Sequence, residues 1–212
     1  MTQSTIRTKP LLESLKWGWF DFEDYLFEKR YGLDLGGVVP VKDLMDDTSL
    51  PIAHASTYHA VWCRNLRELF REARRTGHRF DNFVDIGSGK GKACFYAHTR
   101  QPFRNIVGVE FSSTLIDVSS RNQRRFGADN ISFVNADATG FSLPSGNNIV
   151  FMFNPFDDVI LERFVRHNLD HFRQHRSVIA YANDVQRMTL VRFGFETIYR
   201  NQERKISLYR LP

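Results

Sequence analysis

Ten residues near the middle of the chain, Phe83-Val84-Asp85-Ile86-Gly87-Ser88-Gly89-Lys90-Gly91-Lys92, limit what it can fold into. The apolar run of Phe83, Val84 and Ile86 reads as a short buried strand, and three alternate glycines follow it. Helical patterning resumes through Ala93, Cys94, Tyr96 and Ala97. A strand, a tight glycine turn and a helix N-terminus let backbone lie directly against a cofactor, because glycine has no Cβ to hold it off. Spacing separates the classes that use such a turn. A dinucleotide fingerprint needs its third glycine where Lys92 stands. A P-loop needs a glycine in place of Ile86 and a hydroxyl in place of Ala93. What remains is D-x-G-x-G-x-G, with Asp85 closing the strand.

Beyond the turn, apolar strands and helices alternate. Strands are expected at Asn105–Glu110, Ile131–Val134, Asn148–Phe153 and Ser177–Tyr181, with helices at Ser112–Phe126, Asp157–His171 and about Val185–Arg192. Asn148–Phe153 is almost wholly apolar, as a central parallel strand covered on both faces should be. Phe195–Tyr199 and Lys205–Arg210 alternate around Asn201-Gln202-Glu203 and read as a hairpin. The fold class is therefore α/β: a Rossmann-like seven-stranded sheet, mostly parallel, closed by a C-terminal antiparallel hairpin.

Upstream, Leu12, Leu15, Trp19, Phe22 and Leu26 recur at helical steps as a core-contact stripe, and Gly32 ends that helix. Residues 31–56 lack a period and carry Gly36, Gly37, Pro40 and Pro51, as a lid or substrate wall would. Ser56 or Thr57 is placed to cap the following helix. We divide the chain into an extension, 1–56, and a cofactor-binding domain, 57–212.

Composition narrows the setting. With 212 residues, 42% hydrophobic and nineteen phenylalanines, the chain can build one sizeable core. No apolar run reaches the ~20 residues of a membrane helix, and the N-terminus lacks a hydrophobic signal-peptide region. Cys63 and Cys94 form neither a metal spacing nor a disulfide framework, so a reducing cytoplasm is expected. The net charge of +5 permits an acidic partner. Arg64, Arg67, Arg71 and Arg74 or Arg75 share a helix face, but Glu68 and Glu72 lie among them at ion-pair spacing, which favours a solvated surface over a nucleic-acid stripe.

Asp85-Ile86-Gly87-Ser88-Gly89-Lys90-Gly91 resembles motif I of the class I S-adenosylmethionine-dependent methyltransferases. With Val107-Gly108-Val109-Glu110, Asn154-Pro155-Phe156, and Tyr31-Gly32-Leu33-Asp34 before Gly37-Val38-Val39, the chain is most similar to bacterial members of undefined substrate. The likeness runs from about Tyr25 to the C-terminus. It implies that Gly87, Ser88, Gly89 and Gly91 accommodate the methionine part of S-adenosyl-L-methionine, with Asp85 on its amino group. Glu110 lies nineteen positions beyond Gly91, a register from which an acid can accept from both ribose hydroxyls. The resemblance places Phe111 on adenine, Asp137 at the adenine amino group and the backbone of Ala138 on the ring. It also places Tyr58, before the first core helix, near the site, although a buried structural tyrosine is the simpler reading.

Asn154-Pro155-Phe156 ends the fourth strand of the series and should face the same crevice, since ligands of open α/β sheets bind beyond the carboxyl ends of the strands. Asn154 also counts among the cofactor-site residues. Its side-chain and backbone carbonyls can orient an amino group, Pro155 stiffens the turn, and Phe156 can stack on a planar acceptor or attract passing positive charge. The tripeptide resembles the Asp/Asn-Pro-Pro-Tyr/Phe signature of amino-directed methyltransferases but lacks one proline. The seven-strand protein-lysine group shares a similar strand end and Asp-Leu-Gly-Ser-Gly. The expectation is thus an N-directed methyltransferase acting on a protein lysine or small-molecule amine. The alternative is a module without turnover that binds cofactor, or nucleic acid through Arg64–Arg75. The histidines suggest no metal set, and no serine sits in a nucleophile elbow.

Overall fold

The computed structural model describes residues 22–40 and 56–212, so the expected helical positions Leu12, Leu15 and Trp19, and Pro51 of the loop, lie outside the described residues. Helix α1 covers residues 22–31 and ends at Gly32, whose φ of 64° is left-handed. Strands β1 (Val38–Val39) and β2 (Tyr58–His59) pair antiparallel. Then come α2 (Cys63–Arg75), β3 (Asn82–Ile86), α3 (Lys92–Arg100), β4 (Asn105–Glu110), α4 (Ser113–Phe126) and β5 (Ile131–Asn135). A short 3-10 turn at Ala138–Gly140 leads to β6 (Asn148–Phe153), α5 (Asp158–His167), α6 (Leu169–Gln174), β7 (Val178–Ala182), α7 (Arg187–Arg192), β8 (Glu196–Asn201) and β9 (Ile206–Arg210).

Seven strands form one sheet in the order β5-β4-β3-β6-β7-β9-β8. The first five are parallel, and β9 runs antiparallel to both β7 and β8. Strands β3 and β7 are buried at every position and β6 at every position but the last, which is why their sequences are mostly apolar. Alternate residues serve opposite faces. Phe83 and Phe151 join Phe70, Phe95 and Tyr96 on one face, while Val84, Val150 and Met152 join Leu161 and Phe164 on the other. The strand order changes direction at β3 and β6, so their carboxyl ends leave a crevice between them.

Three expectations are corrected. The helix expected over Asp157–His171 is broken at Asn168 into α5 and α6. The Asn168 side chain donates to Phe141 O and Phe164 O, both at 3.0 Å, and accepts from Leu143 N at 2.9 Å, so a long-range contact overrides local propensity. Ser56 and Thr57 do not cap α2; the chain continues as β2, and α2 begins after Trp62. Phe22 and Leu26 are each 48% exposed, whereas Phe27 and Tyr31 pack on the core. The tilted pairs Phe27–Tyr96 and Tyr31–Phe126, with centroids 5.6 and 4.9 Å apart, fasten α1 to the domain.

Three arginines of α2 are engaged in ion pairs. Arg67 pairs with Glu23, Arg71 and Arg75 with Glu72 at 3.0 and 2.9 Å, and buried Glu68 accepts from Tyr199, Asn201 and Arg204 of the hairpin. Among the described residues, no helix is long and apolar enough to cross a membrane.

Candidate active site

The carboxyl ends of β3 to β6 open into a cleft with about 700 Å³ of empty space, its mouth included. Gly87, Glu110, Phe111, Asp137, Ala138 and Asn154–Phe156 all line it, together with Val109, Leu115, Ala136, Phe153 and Ile160. Ser56–His59 lie across from them. A smaller cavity of about 260 Å³ shares Tyr58, His59, Gly87 and Phe153 with the cleft and adds Asp85, Ser88, Lys92 and Ala93. Residues separated by up to 104 positions in sequence, as Ser56 and Ile160 are, are thereby brought to one edge of the sheet.

The glycine turn is held by backbone. Gly87 and Ser88 N–H groups donate to Val109 O at 2.9 and 3.0 Å, and Gly91 N donates to Ser88 O at 2.9 Å. At Gly87 (φ 73°) a Cβ would lie 2.3 Å from the Pro155 Cβ, so only glycine lets the β3 and β6 loops approach this closely. Pro155 O in turn accepts from Ser56 N at 3.0 Å, which draws the segment before β2 over the same edge.

Glu110 is 5% exposed, and both its oxygens are used. Oε2 accepts from Gly89 N at 2.9 Å and Oε1 from Ser112 N at 3.0 Å. The carboxylate therefore braces the glycine turn against the start of α4, and each oxygen keeps a further lone pair for a ligand. Burial raises its pKa, while the backbone N–H groups of Ser112, Gly89 and Phe111 oppose that rise by favouring the charged form. Asp137 lines the cleft, and its Oδ1 caps the 3-10 turn by accepting from Thr139 N at 2.8 Å.

Asp85 is 3% exposed, and the hydrogen bond to its carboxylate comes from the Cys94 thiol at 3.7 Å. Burial pushes its pKa up to about 8; the thiol works against that rise and the charge of Glu110 adds to it. The folded-state value lies above the ordinary 3.8, so the native protein holds a proton that the unfolded chain has released. The stability contributed by this proton is full below about pH 4 and is lost as pH rises through about 8. Asp85→Asn should therefore gain in melting temperature over the wild type as pH is raised across that window. Melting curves that stay parallel at every pH would show that Asp85 is already ionised.

Among the described residues, nothing bonds the buried Ser88 Oγ, and the Cys94 thiol alone bonds the Asp85 carboxyl. This hydroxyl and carboxyl, both lining the smaller cavity, match the two ends of an amino acid. The residues present therefore fit the methionine portion of S-adenosylmethionine.

Two lysines of the turn bind the upstream segment. Lys90 Nζ donates to Asp34 Oδ1 at 2.8 Å and Gly36 O at 2.7 Å. Lys92 Nζ forms an ion pair with Asp24 Oδ2 at 3.0 Å, with both side chains largely buried. Asn122 Nδ2 joins Asp34 O and Lys90 O, and the Tyr58 hydroxyl donates to Leu35 O at 2.8 Å. Residues 22–40 are thus built onto the glycine turn. Sequence spacing alone did not reveal this, although two lysines inside a glycine turn were a visible oddity.

Asn154 lines the cleft with a left-handed φ of 42°. Its side-chain carbonyl, expected to face an amino group, accepts from the Tyr181 hydroxyl at 3.1 Å. Tyr181 escaped the sequence reading; the only signal was a hydroxyl within the apolar strand Val-Ile-Ala-Tyr-Ala. Phe156 is 9% exposed and walls the cleft beyond Pro155.

A family model described as a methyltransferase domain matches residues 78–189, just over half of the 212-residue chain. A ribosomal protein L11 methylase from Lactobacillus delbrueckii subsp. bulgaricus is 12% identical, with 70% of this chain and 80% of that one covered and a TM-score of 0.52. The glycopeptide N-methyltransferase MtfA, crystallised with S-adenosyl-L-methionine, is 14% identical over 70% of this chain and 94% of its own, with a TM-score of 0.54. TrmN from Thermus thermophilus is 14% identical over 72% and 49%, with a TM-score of 0.53. At such identities the likeness is one of fold. No curated protein matches the sequence.

Proposed function

The chain belongs to the methyltransferase-domain family, as a class I, S-adenosylmethionine-dependent enzyme, and from that premise we propose that it transfers the methyl group to nitrogen on a protein or small-molecule acceptor. The observation that carries the reading is the convergence of the glycine turn, Glu110 and Asn154-Pro155-Phe156 on one cleft, beside a cavity holding Asp85 and the unpartnered Ser88 hydroxyl. Residues 57–212 form the catalytic unit in this reading, and 1–56 an extension anchored on it.

When bound, the cofactor supplies a methyl group on a sulfonium, open to in-line displacement. Asp85 and Ser88 hold the amino-acid end, Asp85 giving up its proton to pair with an ammonium. Glu110 takes the ribose hydroxyls on its free lone pairs while bracing Gly89. Phe111 and the Ala138 backbone enclose the adenine, with Asp137 at its edge. The Asn154 backbone carbonyl orients the acceptor amino group, and Phe156 offers an aromatic wall that attracts the transferring positive charge. Such a displacement needs positioning more than proton transfer, which agrees with a cleft built on rigid strand ends. MtfA, similar in fold, is an N-methyltransferase of a glycopeptide, which favours nitrogen without naming the acceptor.

Calorimetric titration with S-adenosylmethionine and S-adenosylhomocysteine tests the reading. Micromolar binding by the wild type, lost in Gly89→Arg, is the expected result. Absence of binding to either compound would overturn it. Nucleic-acid binding that weakened steeply with salt would then revive the role of Arg64–Arg75.

A further inference from the structure

The hydrogen bond behind Asn154 has a direction. The Tyr181 hydroxyl donates to Asn154 Oδ1 at 3.1 Å, so the phenol proton is turned toward the Asn154 side chain. Tyr181 is 1% exposed, and its strand is in register with β6, with Met152 opposite Tyr181, so the phenol is held in the core. A carboxamide is planar, with its nitrogen about 120° from its oxygen. With Oδ1 directed into the protein, the Nδ2 hydrogens are left for the cleft that Asn154 lines. Among the described residues, nothing donates to the Asn154 backbone carbonyl. One residue thus offers the cleft a donor and an acceptor side by side.

Resting on the proposed methyl transfer, we infer that Tyr181 is a positioning residue that fixes the polarity of Asn154, so that the site selects an amino group adjacent to a hydrogen-bond acceptor. The acceptor class is an amide or amino-heteroaromatic edge: its N–H meets the Asn154 carbonyl, and its neighbouring oxygen or ring nitrogen meets Nδ2. Side-chain amides read such paired edges by the same bidentate geometry. An isolated alkylammonium, which carries donors only, meets the Nδ2 hydrogens with like polarity. This disfavours lysine among the nitrogen acceptors.

Sinefungin provides a probe that needs no acceptor, because it carries an amine where the cofactor carries its transferable methyl. The readout is the ratio of sinefungin to S-adenosylhomocysteine affinity, measured by calorimetry in wild type and two variants. Tyr181→Phe removes the proton that holds Oδ1, the amide can then turn its oxygen to the amine, and the ratio should rise about fivefold. Asn154→Ala removes the opposing hydrogens outright and should raise the ratio roughly threefold. A fall in the ratio in Asn154→Ala would show that Oδ1 already faces the cleft and would overturn the inference. An unchanged ratio in Tyr181→Phe would remove the positioning role. Should Tyr181→Phe fail to fold, the sign in Asn154→Ala still decides the polarity. If the wild type binds neither compound, it is the methyltransferase reading that fails, not the polarity argument.

Discussion

Glu110→Ala should lose S-adenosylhomocysteine affinity by about two orders of magnitude or more, and should lower the melting temperature even without ligand. The two effects have separate causes. Without ligand, the substitution strands the Gly89 and Ser112 N–H groups in a buried position, where an unsatisfied donor costs about 1–3 kcal/mol each. With ligand, it also removes the acceptors proposed for the ribose hydroxyls. Glu110→Gln separates them, since its one carbonyl oxygen can keep a single backbone donor while its amide repels the other. The glutamine variant should melt between wild type and alanine, yet bind nearly as poorly as alanine. Thermal melts and calorimetry on the three proteins decide the matter. An alanine variant that melted like wild type would mean that the brace carries no stability.

Gly89→Ala should destabilise the protein by roughly 2–4 kcal/mol, against about 1 kcal/mol for Gly127→Ala. Both glycines are left-handed, at φ of 53° and 73°, so both substitutions incur the backbone strain. Their surroundings differ. A Cβ on Gly127 meets nothing within 4 Å, whereas one on Gly89 would lie 2.1 Å from the Tyr58 ring. That ring cannot easily retreat, because its hydroxyl is bonded to Leu35 O and its strand is paired with β1. Alanine at 89 must therefore lift β2 away from the glycine turn, and cofactor affinity should fall with stability. Adding Tyr58→Ala to Gly89→Ala should recover part of the loss, as a double-mutant cycle would register. Equal destabilisation at positions 89 and 127 would refute the contact.

Much of this was legible in the chain itself. A strand buried on both faces is mostly apolar, so β3, β6 and β7 announced themselves, and D-x-G-x-G-x-G excluded the dinucleotide and P-loop turns by spacing alone. Glu110 was legible by its distance from Gly91. Periodicity is a local signal, however, and it failed where distant partners intervened. Asn168 breaks the helix between α5 and α6 because two groups from elsewhere in the fold, Leu143 N and Phe141 O, hold its side chain. Phe22 and Leu26 fit the helical period, yet it is Phe27 and Tyr31 that find Tyr96 and Phe126.

The sequence by itself determined the class of fold, the glycine turn and the edge of the sheet at which the candidate residues gather, because these follow from side-chain size, period and the absence of a Cβ. Only the tertiary structure decided that Lys90 and Lys92 anchor the upstream segment, that Glu110 braces the glycine turn, and that the Tyr181 hydroxyl bonds the Asn154 side chain. Those are directed contacts between residues up to 68 positions apart, as Lys92 and Asp24 are. A hydrogen bond's direction depends on where both partners lie in space, which no spacing along the chain encodes.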